Sequence, residues 1–89
     1  MGEDVVLDRL LKIVAFVAGA HRLPPDLGAR TPLRAGGIEL DSASMLDLIV
    51  SCEAEFSVTF DPHTDLTEEA LRTVGTLAGS VRRLVASRG

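Results

Sequence analysis

The chain has 89 residues, 46% of them apolar, and its only aromatic residues are three Phe. A chain of this size buries about 60–65% of its extended surface on folding, enough for one aliphatic core and too little for several, so residues 1–89 are expected to form a single domain. Thirteen acids against nine bases give a net charge of −4, which disfavours nucleic acid or an anionic lipid surface as a partner.

The charges are unevenly placed. All nine bases fall in 9–34 or 72–88, and residues 35–71 hold nine acids with no Lys or Arg. Such a block attracts a basic protein surface, although plain solubility accounts for it equally well. The single cysteine, Cys52, excludes an internal disulfide and suits a reducing cytosol, so a cytoplasmic protein is expected. Glu3 and Asp4 stand where a secretory signal would carry bases. The apolar run 5–20 is too short, and too charged at Asp8, Arg9 and Lys12, to span a membrane.

The first helix is expected over Glu3–Ala20, with Val6, Leu10, Ile13, Val14 and Val17 at helical spacing. Gly19 and His21 mark its end, glycine as a left-handed cap and histidine beside the last carbonyls. About twenty residues without period follow, rich in Pro and Gly. Leu23, Leu27, Leu33, Ile38 and Leu40 are spaced through them as apolar anchors. A loop this long in a small domain implies that it has a job.

The second helix is expected over Ser42–Phe56, capped by Asp41, whose carboxylate can accept from orphan backbone N–H groups. At about 100° per residue, Met45, Leu48, Ile49, Cys52 and Phe56 form the core stripe. Leu46 and Val50 lie away from it beside Ala43, rimmed by Asp47, Glu53 and Glu55. The helix therefore has a second, smaller apolar strip with an acidic border. After a loop anchored by Phe60, Thr67–Leu71 reads as a short helical turn. The last helix is expected over Val74–Ser87, capped by Thr73, with Val74, Leu77, Ala78, Val81, Leu84 and Val85 inward. Gly75 and Gly79 weaken it unless they permit close packing. The sum is an all-α fold: a small four-helix bundle, three longer helices and one short, with a long first loop.

Enzymatic chemistry finds little support. A triad of Ser42, His21 and Asp41 would need a base within reach of the hydroxyl and an oxyanion site. Both histidines sit in loops without a motif. Asp61, His63 and Asp65 alternate as weak divalent-ion ligands do, but no EF-hand pattern surrounds them, and no metal site is expected. What remains is a serine at a helix start, where unpaired N–H groups make the local field positive and a phosphate is stabilised by about 0.3–1 kcal/mol. The plainer alternative is that Ser42 caps its own helix.

The ordered set Thr31-Pro32-Leu33, Gly36-Gly37-Ile38, Asp41-Ser42, Met45-Leu46-Asp47-Leu48-Ile49 and Glu53-Ala54-Glu55-Phe56 resembles the acyl and peptidyl carrier proteins. Thr73-Val74 before the last helix fits as well, so the likeness spans nearly the whole chain. The resemblance implies a carrier rather than an enzyme. Its 4′-phosphopantetheine arm would be attached through a phosphodiester to Ser42, and the terminal thiol of that arm would hold acyl or aminoacyl intermediates as thioesters. It implies that Asp41 belongs to the recognition motif and that Ala43, Leu46, Asp47, Val50 and Glu53 face partner enzymes. Those partners would be a phosphopantetheinyl transferase and a ligase, synthase or transferase with a basic docking surface, met transiently by a monomer. The Phe60-Asp61-Pro62 and Leu66-Thr67 stretch leans toward discrete carriers of polyketide, nonribosomal peptide or related specialised pathways. Ala43 departs from the leucine usual after the motif serine, and Glu39-Leu40 are two extra residues before Asp41. Ser44 is the rival attachment site, without a preceding acid. The alternative to the whole reading is an unmodified acidic helical interaction domain.

Overall fold

The computed structural model describes residues 2–19, 23–34 and 36–88, and in it three α-helices follow one another: α1 (Gly2–Ala18), α2 (Ser42–Phe56) and α3 (Val74–Arg88). Among the described residues there is no strand, only an isolated antiparallel bridge between Pro32 and Thr73. α1 packs against both α2 and α3, which touch one another less.

Each helix end has a local cause. α1 stops at Gly19, which turns left-handed at φ 85° and donates its N–H to the Ala15 carbonyl at 3.0 Å. His21 lies outside the described residues. α2 begins at its Asp41 cap and ends at Ser57, a left-handed residue at φ 55° whose N–H returns to the Glu53 carbonyl. At α3, Thr73 and Thr76 cap reciprocally: the Thr76 N–H donates to the Thr73 hydroxyl at 3.1 Å, and the Thr73 N–H to the Thr76 hydroxyl at 3.0 Å.

The short fourth helix expected at Thr67–Leu71 is only a turn. Leu71 N–H does reach the Thr67 carbonyl at 3.1 Å, and the Thr67 hydroxyl accepts from Ala70 N–H. The next N–H, that of Arg72, reaches back only three residues, to the Glu69 carbonyl at 3.3 Å, and the Arg72 carbonyl accepts from Leu33 N–H at 3.0 Å where the chain bridges to the first loop.

The core is mainly aliphatic, with Phe56 of α2 and Phe60 of the second loop also in it. Leu10 and Val14 of α1, Leu48 and Cys52 of α2, and Val74, Leu77 and Val81 of α3 are buried, with Leu33 and Ile38 from the first loop among them. Ile49, assigned to the core stripe of α2, is half-buried at its margin. Truncating one of the fully buried leucines costs about 2–5 kcal/mol, a large part of the stability of a small domain.

The long first loop is a strap rather than a free connection. Ile38 N–H donates to the Pro32 carbonyl and Leu40 N–H to the Leu33 carbonyl, both at 2.9 Å. Val74 N–H donates to the Thr31 carbonyl at 3.0 Å and Gly75 N–H to the Ala29 carbonyl at 2.7 Å. The strap is therefore sewn to itself and to the start of α3. Two glycines make that possible. A Cβ on Gly37 would run into the Pro32 carbonyl oxygen, and one on Gly75 would lie 2.8 Å from that of Ala29. Gly79 has open space around it, so close packing does not explain it. Glu39 is left-handed, φ 61°, and the turn it makes carries Leu40 into the core.

Candidate functional site

The start of α2 is fixed from both sides. Upstream, Leu40 is buried and bonded to Leu33, whose own N–H is held by the Arg72 carbonyl. Downstream, the stripe Met45, Leu48, Cys52 and Phe56 fastens the helix to the core. Between them Asp41 takes an extended backbone (φ −81°, ψ −179°), and its Oδ1 accepts the Ser44 N–H at 2.8 Å. Its carbonyl accepts the Met45 N–H at 2.9 Å.

This assigns the cap. Asp41, not Ser42, satisfies the exposed N–H of the first turn, so Ser42 is not needed as its helix's cap. Ser42 occupies the first helical position and is exposed, while Ser44 is half-buried. The arrangement presents one primary alcohol to solvent at the positive end of a helix, beside a carboxylate held in place by its own backbone bond.

The outer face of α2 carries the second strip. Leu46 is 61% exposed and Val50 54% exposed, with Ala43 and Asp47 exposed next to them. At i,i+4 spacing the two side chains adjoin, so this face carries a short exposed aliphatic strip. Glu53 differs from the other candidates on this face. It is half-buried, and its Oε2 accepts the Phe60 N–H at 2.9 Å, tying the second loop to the helix.

The remaining polar groups have structural duties. Asp65 is buried, its Oδ2 accepts Asp61 N–H at 2.8 Å and its Oδ1 lies 3.6 Å from Arg83. Asp61 in turn accepts His63 N–H at 2.9 Å. Among the described residues no group of three or more His, Cys, Asp or Glu could hold a metal ion. The Cys52 thiol is pushed up from 9.0 to about 12 by burial first, then by the charges of Glu53 and Glu55, which leaves it protonated and unreactive as a nucleophile. Two open grooves, one lined by Ile13, Phe16 and Ala54 and the other by Pro32, Leu66 and Leu71, do not include Ser42.

Among the described residues no helix is long and apolar enough to cross a membrane. No family model matches the chain, and no curated protein and no solved structure matches it.

Proposed function

We propose that this chain is a carrier protein that holds acyl or aminoacyl intermediates as thioesters on a 4′-phosphopantetheine arm at Ser42. The observation that carries the reading is the division of labour at the start of α2: Asp41 caps, and Ser42 is exposed beside it. In arm transfer the Ser42 oxygen forms a bond to the β-phosphorus of coenzyme A. The phosphorus–oxygen bond of the pyrophosphate breaks, 3′,5′-ADP leaves, and the hydroxyl proton passes to a base of the transferase. The carrier's own part is to keep the alcohol accessible and oriented, and to place the new phosphodiester next to a helix N-terminus.

Leu46, Val50 and Asp47 offer an apolar strip with an acidic border to the phosphopantetheinyl transferase and to the ligase, synthase or transferase that loads and unloads the arm. Such contacts are brief and weaken with salt. The same exposed strip also serves the second reading, an unmodified interaction domain, which differs in leaving Ser42 bare. Incubation of the purified chain with coenzyme A and a promiscuous phosphopantetheinyl transferase separates the two. A mass gain of one arm that disappears in Ser42→Ala supports the carrier; no gain, or an equal gain in Ser42→Ala, overturns it.

A further inference from the structure

A second strip lies on α1. Val5, Arg9, Lys12 and Phe16 fall within about 60° of one another around that helix at 100° per residue. Val5 is 50% exposed and Phe16 86% exposed, with Arg9 and Lys12 also exposed. The other two phenylalanines, Phe56 and Phe60, are buried. Ile13 and Phe16 form one wall of an open groove whose other wall is Ser51 and Ala54 of α2. The Arg9 guanidinium crosses it to Glu55 at 3.0 Å. On α2, Leu46, Val50 and Ala54 follow at i, i+4, i+8, and Ala54 at the end of that row borders the groove.

The two strips are opposite in sign. Arg9 is paired with Glu55 within the chain, so the charge that the α1 strip offers a partner is that of Lys12, and the α2 strip carries Asp47. A basic apolar strip is complemented by an acidic apolar one, and this chain presents both on neighbouring helices. We propose that the occupant of this face is a second copy of the chain, with the α1 strip of each protomer on the α2 strip of the other. Phe16 then covers Leu46 and Val50, and Lys12 faces Asp47, each contact made twice in a closed pair. The apolar residues involved are few, so the pair is weak and monomers prevail when dilute. It is also salt-sensitive. Pairing covers the strip that partner enzymes would need, so the carrier in this form is withheld from them. The inference stands on α1 and α2 alone and does not depend on the modification of Ser42.

Sedimentation equilibrium on the full chain tests it, from about 20 µM to about 1 mM, at about 0.02 M and about 0.5 M salt. The weight-average mass is expected to rise from 9.4 kDa toward twice that value at low salt and to rise less at high salt. Phe16→Ser, Lys12→Glu and Asp47→Lys should each stay monomeric with an unchanged far-UV circular dichroism spectrum. An equimolar mixture of Lys12→Glu and Asp47→Lys should regain the mass increase, because the swapped charges again face opposites. A monomer throughout for the native chain, association unchanged in Phe16→Ser, or no recovery in the mixture overturns the proposal.

Discussion

Leu40 donates its backbone N–H to the carbonyl of Leu33 at 2.9 Å, and both side chains are buried in the same core. That pairing closes the strap one residue before Asp41 and so sets where α2 begins. The place of Ser42 at the start of that helix therefore depends on a bond between two loop residues.

If the strap matters as described, its glycine contacts should be unequal in mutation. Gly37→Ala places a methyl where the Pro32 carbonyl already is and should cost at least about 2 kcal/mol, as overpacking does. Gly79→Ala meets nothing within 4 Å and should be stabilising by up to about 1 kcal/mol, the helix-propensity difference. Urea unfolding of the two variants gives the comparison.

Asp41 has two separable roles. Asp41→Ala should lose about 0.5–2 kcal/mol with the cap. Asp41→Asn keeps a side-chain oxygen for the Ser44 N–H and should change stability by only a few tenths of a kcal/mol, while slowing arm transfer if the carboxylate charge is read by the transferase. Thermal unfolding and transfer kinetics on the same two proteins distinguish the roles.

Substitutions on the outer strip should separate docking from folding. Leu46→Asp and Val50→Asp change exposed positions and should leave stability within about 0.5 kcal/mol. Transfer of the arm should slow through a raised KM for the carrier. Glu53→Ala should act the other way round: it removes the acceptor of the Phe60 N–H and should destabilise by about 1–3 kcal/mol.

Cys52 gives a pH signature. Its thiol ionises near 9.0 when unfolded and near 12 when folded. The folded chain therefore holds the proton across that interval and the unfolded chain does not. Stability should be unaffected by this group below pH 9 and should fall as pH rises from 9 toward 12. Cys52→Ala should be less stable at neutral pH and show a shallower alkaline decline. Disulfide-exchange reagents should modify the native thiol only as fast as the protein opens.

Much of this was legible in the chain. The bounds of α2, the Asp41 and Thr73 caps and the buried leucines of the first loop follow from spacing and residue type. What escaped was non-local. The strap's hydrogen bonds join Leu33 to Arg72 and Thr31 to Val74 across some forty residues, and no local period announces such pairs. The turn expected as a fourth helix ends at Arg72, whose carbonyl belongs to that pairing. Glu53 reads as a surface acid by its place on the helix, and only the path of the following loop brings Phe60 to it. Phe16, which is absent from the inward stripe of the first helix, shares its helical phase with Val5, Arg9 and Lys12 and is exposed with them.

The central claim concerns one oxygen atom. Protein isolated from its native host, digested and fragmented in the mass spectrometer, should yield a peptide in which phosphopantetheine is carried by Ser42, with Ser44 bare. Peptides from every growth stage showing Ser42 unmodified would contradict the account.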